Sequence, residues 1–176
     1  MGKILKLGFV LMVFCVISAG ALAYVYLFTQ PKIELNGKRA FESSLTEVLP
    51  NALVFNIVKI GSKEVYQGLS GKDIIGTVFF ASPRGYSSNI NMLVGIDSNA
   101  KISGIKIVSQ NETPGLGTNV AKRSFLDQFL GKTANDQIEA KKDIDAITGA
   151  TISSRAVCRG VREALNDFEK NKKVKQ

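Results

Sequence analysis

Residues 90–109, INMLVGIDSNAKISGIKIVS, hold two apolar, β-branched runs joined by a polar turn, and their reading decides the class of the fold. Ile90 to Asp97 and Ile102 to Ser109 have the length and composition of strands. The four residues between them leave room only for a hairpin. Working outward, Leu53 to Lys59, Glu64 to Gln67 and Ile74 to Ser82 carry the same composition, split by Gly, Ser and Asn. Connections this short cannot hold crossover helices, so the five strands predict a meandering, largely antiparallel sheet. On either side the period becomes helical. Gly37 to Leu49 spaces Ala40, Phe41, Leu45, Val48 and Leu49 along one face ahead of Pro50. Asn119 to Leu130 does so with Val120, Phe125, Leu126 and Phe129 ahead of Gly131, and a last helix from near Ser153 carries Ala156, Val157, Val161, Ala164, Leu165 and Phe168. The expected class is α+β, without internal repeats.

Further out, Leu7 to Phe28 is an uncharged apolar run preceded by Lys3 and Lys6. As a helix it is about 33 Å long, enough for a hydrocarbon core of about 30 Å. Tyr24 and Tyr26 suit the interfacial belt at its exit, and the two lysines favour a cytoplasmic N-terminus. The other reading is a cleaved signal peptide, for which Ser18, Ala19, Gly20 and Ala21 offer small residues, although the run exceeds the usual apolar region of about 7 to 15 residues. Cys15 lies mid-span as a membrane residue. The expected organisation is therefore an anchor at 1–28, an extracytoplasmic domain at 29–169 and a basic tail at 170–176. Of 23 basic residues, Lys3 and Lys6 precede the span and Lys170, Lys172, Lys173 and Lys175 end the chain as a solvated, mobile tail, leaving 17 against 15 acidic residues between. The apparent net charge of +8 thus belongs mostly to the two ends.

Composition removes several chemistries. The chain has no histidine, so no His-based nucleophile pair or His-ligated centre is available. Two cysteines cannot hold an iron–sulfur cluster alone, though they can share one with a partner. No metal site and no nucleic-acid surface is expected, since no basic stripe is interleaved with aromatics.

Two glycine-rich loops remain. Glu112, Thr113, Pro114, Gly115, Leu116 and Gly117 leave the last strand, and read either as a ligand wall or as a connection capped by Thr118 or Asn119. Asp145 to Ser154, DAITGATISS, opens the last helix with four hydroxyls and an accessible backbone. Unpaired amides and the positive dipole end make it a natural phosphate seat, whereas the local reading has Ser153 or Ser154 as N-cap and Asp145 bonded to a backbone amide. A P-loop is excluded because no Gly-Lys-Ser/Thr follows.

Asp145, Thr148, Gly149, Ala150 and Thr151, continued by Ile152, Ser153 and Ser154, resemble the flavinylation motif of FMN-binding domains, in which a threonine hydroxyl is esterified to the phosphate of FMN. With the Glu112 to Gly117 loop, the Gly85-Tyr86 turn and the single anchor, the chain resembles the G subunit of the Rnf electron-transport complex along nearly its whole length. The resemblance implies Thr151 as the acceptor of covalent FMN, with Asp145 recognised by a flavin transferase that uses FAD and a divalent metal and releases AMP. Thr148, Gly149, Ala150 and Ser154 would position the phosphate. Glu112, Thr113, Gly115 and Leu116 would wall the ring, with Glu112 as proton acceptor or potential-tuning group if not a structural salt bridge. Tyr86 would touch the ring if it is not a sheet-edge aromatic.

The implied protein is an electron-transfer subunit of an ion-translocating ferredoxin:NAD oxidoreductase, not a complete enzyme and without catalytic residues of its own. Its implied partners are the other Rnf subunits, the transferase and membrane lipid. The related alternative, the C subunit of the sodium-translocating quinone reductase, is longer. Two other classes predict different behaviour: a free-standing tethered flavoprotein would purify alone, and a structural module with glycine loops as mere connections would be colourless. Cys158 reads as a small buried residue in preference to a redox group. Arg155, Arg159 and Arg162 read as solvated helix arginines unless they approach the phosphate or a partner.

Overall fold

The structure, a computed structural model, describes residues 2–60 and 63–174. Two compact units divide the chain, Met1–Phe41 and Glu42–Gln176.

The first unit is the body of α1, which spans Gly2–Val48. Its apolar part has a mean hydropathy of 2.3, and none of that window is buried within the molecule. The side chains of Phe9, Phe14, Leu22 and Leu27 all face outward, as a membrane span requires. The two helices expected at 7–28 and 37–49 are in fact one. Pro31 stands inside it and forgoes a hydrogen bond to the Leu27 carbonyl, a cost the flanking helix formers absorb. Thr29 Oγ1 donates to the Val25 carbonyl at 2.7 Å in the turn before it.

The second unit holds the sheet. Strands β1 (Val54–Ile60), β2 (Lys63–Ser70), β3 (Asp73–Ala81), β4 (Asn91–Asp97) and β5 (Ile102–Ser109) pair in sequence order, every pair antiparallel. The expected meander is present, with ends displaced by a residue or a few. In the β4–β5 hairpin Asp97 Oδ1 accepts the amides of Asn99 and Lys101 at 2.8 and 2.9 Å, while Ala100 takes φ 63°.

One face of the sheet presents Val65, Phe79, Ala81, Met92, Val94 and Ile105 to the main core. Helix α3 (Thr151–Val174) covers β3 and β4 there with Ala156, Val157, Val161, Ala164 and Leu165. It begins two residues before its expected start. It also absorbs the expected tail as far as Val174, while Lys175 lies outside the described residues. The expected helix at 119–130 is broken into a 3-10 turn at Gly117–Ala121, a short α2 (Arg123–Leu126) and a second 3-10 turn at Asp127–Phe129. Lys122 is extended between the first two, which lets Val120, Phe125, Leu126 and Phe129 all reach the core although 120 and 125 do not share a helical spacing. Gly131, at φ 75°, ends the segment.

The opposite face accepts the end of α1 in a strip without side chains. Gly68 and Gly76 are register partners, as are Gly95 and Gly104, so four adjacent strands each place a glycine there. A Cβ on Gly76 would lie 2.8 Å from Leu49 Cδ1, and one on Gly104 2.8 Å from Val48 Cα. On Gly68 it would overlap Leu49 Cδ2, and on Gly95 the Val48 carbonyl oxygen. Ser103 Oγ donates to that same carbonyl at 2.6 Å, satisfying an acceptor that the helix end leaves without an amide.

Gly95→Ala is therefore expected to cost about 1–3 kcal/mol, because backbone must shift to admit one methyl group. Gly37→Ala, where nothing lies within 4 Å, is expected to be neutral or slightly stabilising. Thermal melts of the two detergent-solubilised variants check the contrast, and equal midpoints would refute it.

Candidate functional site

Three segments far apart in sequence meet around one cavity. The first is the turn at 84–89 between β3 and β4, closed by the Arg84–Asn89 bridge and by the Gly85 amide donating to the Ser88 carbonyl at 2.8 Å. The second is the loop at 112–117 that leaves β5, and the third is the start of α3.

Glu112 joins them. It is 4% exposed, and its Oε1 accepts the amides of Ser87 and Ser88 at 2.9 and 3.0 Å, while Oε2 accepts the amide of Tyr86 at 3.1 Å. Oε2 also accepts the Ser153 hydroxyl from the first turn of α3 in a short hydrogen bond. Burial pushes its pKa upward, but the hydrogen bonds from Ser153, Ser88, Tyr86 and Ser87 outweigh it and hold the carboxyl below its ordinary 4.5. Glu112 is thus an ionised, fully bonded clamp. The salt-bridge alternative is corrected, since no Lys or Arg is its partner among the described residues and four hydrogen-bond donors meet the carboxylate instead. Two glycines allow the clamp to close. A Cβ on Gly85 would lie 2.7 Å from Glu112 Oε1, and one on Gly117 2.7 Å from Glu112 Cβ.

The 112–117 loop is fixed by its own backbone. The amides of Leu116 and Thr118 donate to the Thr113 carbonyl at 3.2 and 3.3 Å, and Gly115 turns at φ 76°. Thr118 Oγ1 accepts the Gly115 amide at 3.1 Å and Asn119 Nδ2 donates to the Gly115 carbonyl at 2.7 Å, but neither is the expected cap: both lie inside the 3-10 turn, whose N-cap is Leu116 without a side-chain bond. The loop holds Leu116 outward, 45% exposed.

At the start of α3, Gly149 turns the chain at φ 77°, and a Cβ there would come 3.0 Å from Leu116 Cδ2, so the two glycine loops approach each other at this point. The first helical hydrogen bond runs from the Ser154 amide to the Ala150 carbonyl at 2.9 Å. Ala150 therefore occupies the N-cap, where a Ser, Thr, Asp or Asn side chain would ordinarily bond the next amides. It has none to offer, and the amides of Thr151, Ile152 and Ser153 stand ahead of the helical ladder.

The hydroxyls of this segment have separate fates. Ser153 is used by Glu112. Ser154 is fully buried, donates to the Ala150 carbonyl at 3.0 Å and accepts the Ile147 amide at 3.1 Å. Neither is an N-cap, since both lie inside the helix. Thr148 is exposed and stands off the cavity wall. Thr151 lines the cavity, and its hydroxyl has no hydrogen bond among the described residues.

The cavity measures about 550 Å³ and is lined by Tyr86, Glu112, Thr113, Leu116, Gly149, Ala150 and Thr151, together with Gly117, Ile152 and Ser153. That volume lies within the range of about 300–1,000 Å³ usual for small-molecule sites. Tyr86 stands on the turn, 66% exposed, instead of on a sheet edge. Tyr86, Leu116 and Ile152, the last 50% exposed, supply apolar surface, and the helix start supplies amides. Of the site residues read from sequence, Thr148, Gly115, Ser154 and Asp145 do not line the cavity. Gly117 joins the wall as part of the expected loop, whereas Ile152 and Ser153 do so without having been expected there. An isoleucine in the first turn of a helix, where a core-facing apolar residue is not needed, is the signal that points to Ile152.

Two carboxylates near the motif differ sharply. Asp143 accepts the amides of Ile138 and Glu139 at 2.9 and 2.7 Å and the Lys132 ammonium at 3.0 Å, pinning a segment in which Ile138 and Lys141 both have positive φ. Burial pushes its pKa upward, and the Glu139 amide, Lys132 and the Ile138 amide bring it below the usual 3.8. Asp145 is exposed; its backbone amide donates to Gln128 Oε1 at 2.7 Å, and its carboxylate has no bond among the described residues, contrary to the local reading. Cys158 is buried on α3, and burial raises its thiol to about 11, so it is an inert core group as expected.

Residues 85–166 match the FMN-binding domain family, and residues 1–48 match the RnfG N-terminal region. The chain is 38% identical over 156 residues to the G subunit of the proton-translocating ferredoxin:NAD(+) oxidoreductase complex of Clostridium ljungdahlii, covering 86% of this chain and 84% of that one. It is 35% identical over 191 residues to the G subunit of the Na(+)-translocating ferredoxin:NAD(+) oxidoreductase complex of Acetobacterium woodii, covering 94% and 92%. Among solved structures, the crystal structure of Shewanella oneidensis NqrC matches with a TM-score of 0.49 at 20% identity, over 65% of this chain and 66% of that one.

Glu112→Gln is expected to destabilise the domain by about 1–3 kcal/mol at pH 7, since one oxygen becomes an amide group facing donors. Because folding depresses the Glu112 pKa, its stabilisation is present above 4.5 and fades as pH falls through the lower folded value. The gap between wild type and variant should therefore close on acidification. Denaturant melts between pH 7 and pH 3 measure it, and a constant gap would mean that the charge contributes nothing to the clamp.

Proposed function

The chain belongs to the family of the G subunit of the Rnf ion-translocating oxidoreductase complex, and from that premise we propose how it carries FMN and passes electrons. It is an electron-transfer subunit of a membrane-bound ferredoxin:NAD oxidoreductase, with an FMN-binding domain and an apolar N-terminal helix as its membrane anchor. FMN supplies reversible electron acceptance; everything else is the work of the chain's own residues.

The observation that carries the finer reading is the separation of hydroxyls at the start of α3. Ser153 and Ser154 are used internally, and Thr148 stands outside. Thr151 alone of the four lines the cavity with its oxygen free among the described residues. A phosphoester on that oxygen would place a phosphate beside the amides of Thr151, Ile152 and Ser153, where the missing N-cap side chain leaves room and the helix dipole offsets negative charge. The residues present therefore fit the group. Leu116, Ile152 and Tyr86 would exclude water from the faces of the ring, and Thr113 would hydrogen-bond its polar edge. Gly149 and Ala150 keep the approach open, Ser154 holds the Ala150 carbonyl and the Ile147 amide in place, and Gly115 sets the pitch of the Leu116 loop. The free carboxylate of Asp145 is available to a flavin transferase, whose attachment chemistry requires FAD and a divalent metal.

In this reading the anchor is 1–28, residues 29–169 carry the flavin, and 170–176 are a basic tail that α3 enters as far as Val174. Lys3 and Lys6 favour a cytoplasmic N-terminus, with the domain on the far side of the membrane and lipid around Leu7 to Phe28.

Coexpression with a flavin transferase is expected to give a band that fluoresces on a denaturing gel. Thr151→Ala should abolish it while the protein keeps its thermal midpoint. Thr148→Ala should retain at least part of it. Fluorescence persisting in Thr151→Ala would sink the assignment. A reporter fused to the C-terminus should be active only outside the cytoplasm, and cytoplasmic activity would overturn the orientation.

A further inference from the structure

Four of the six arginines in the chain, Arg84, Arg155, Arg159 and Arg162, gather at α3 and the turn that faces it. Three of them line a groove of about 510 Å³ with Ser82, Pro83, Glu163 and Asn166. Arg159 Nη2 donates to the Arg84 carbonyl at 2.7 Å, which fixes one guanidinium and joins the helix to the turn. Arg84, Arg159 and Arg162 are all exposed, and none has a carboxylate within ion-pair distance among the described residues.

Several cations elsewhere on the domain are paired, while Lys72, Lys101, Lys122 and Lys141 stand singly without an ion pair among the described residues. Lys63 pairs with Asp167 at 2.7 Å, Lys106 with Glu47 at 2.8 Å, Lys132 with Asp143 at 3.0 Å and Lys142 with Glu139 at 2.8 Å. The groove contains one carboxylate, Glu163, which adds its attraction to Lys63 on the neighbouring side. Arg162 also attracts Glu139 from a distance, yet within a domain whose charges nearly balance this groove gathers three arginines without an ion pair among the described residues around one carboxylate. The planar guanidinium fork matches carboxylates in two-point contact and is only weakly hydrated, the properties of an interface cation.

Its position gives the charge a purpose. Arg84 lies on the same closed turn as Tyr86, which lines the cavity at Thr151, so the groove and the cavity share one wall. We propose that the groove of Arg84, Arg159 and Arg162 seats a carboxylate-bearing surface of the complex subunit that exchanges electrons with the flavin site. The inference rests on the functional reading above. A partner seated there would have its own redox centre directed at the exposed Tyr86 rim, with orientation fixed by paired charges and approach speeded by the field.

The test uses the assembled complex in membranes, with Arg84→Glu/Arg162→Glu and Arg84→Lys/Arg162→Lys in the full chain. Flavin loading is read by gel fluorescence. Flavin reduction is followed with reduced ferredoxin as electron donor, and separately with photoreduced 5-deazariboflavin, a small uncharged reductant that needs no docking. The glutamate pair should load flavin normally and react normally with deazariboflavin, yet lose about tenfold or more in the ferredoxin-driven rate. The lysine pair should keep most of that rate. Should the pair lower loading, single Arg162→Glu on the exposed helix face is read in the same way. A ferredoxin-driven rate unchanged by charge reversal overturns the proposal. So does loss of copurified phospholipid at unchanged rate, which would assign the groove to a lipid headgroup. Absence of threonine-bound flavin in the wild type would instead defeat the functional reading.

Discussion

The Glu112 carboxylate is the constraint on which the cavity depends. A buried charge is tolerated only when its lone pairs are met, and here three amides of one turn and the hydroxyl of Ser153 meet them. Beside the clamp, the turn is tied to this loop by the Asn111 amide donating to Ser88 Oγ at 2.8 Å, and α3 by its contact with the 3-10 turn at Gly117–Ala121. Sheet hydrogen bonds end before residue 84 on one side and at Ser109 on the other, and α3 packs through residues further along. The clamp joins these three segments into one wall. Its closeness explains the glycines at 85 and 117 better than any need for unusual backbone angles, since neither has positive φ and each would collide with Glu112 if it bore a side chain.

The sheet meets a similar demand on its other face by opposite means. There the strip at Gly68, Gly76, Gly95 and Gly104 removes side chains so that Val48 and Leu49 can lie against bare backbone, and Ser103 meets the Val48 carbonyl. Both arrangements rest on close approach, one polar and one apolar. In both, the expensive groups are few: one carboxylate, one helix-end carbonyl.

How much of this was legible follows from the range of each interaction. The hairpin at Asp97 was readable because its carboxylate bonds amides two and four residues on, and Gly131 because the left-handed turn is a local need. The antiparallel order followed from short connections. The broken helix after Gly117 was not readable, since its apolar residues match a helical period only approximately and their common target, β5, lies earlier in the chain. Nor was the continuity of α1 through Pro31. At the cavity, Thr151 and Leu116 stood out through their own motifs, whereas Ser153 looked like a cap and Glu112 like a redox or ion-pair group. Their partnership spans 41 residues, and no local pattern records it.

The uncapped start of α3 gives the clearest physical argument about what the cavity is for. A Ser, Asp or Asn at position 150 would bond the free amides and add about 1 kcal/mol to a 24-residue helix that anchors the core. The sequence has suitable residues all around that position, with Thr148, Thr151, Ser153 and Ser154 within four residues of it. Yet the two serines are turned to Glu112 and to the Ala150 carbonyl, and the cap itself is an alanine. Local stability is thereby left unclaimed at a helix end that opens on a cavity. An anion brought there recovers it, because the same amides that lack a side-chain cap would bond phosphate oxygens. Attaching the anion through the adjacent Thr151 oxygen would add no further charge to be buried and would hold it at the helix end permanently.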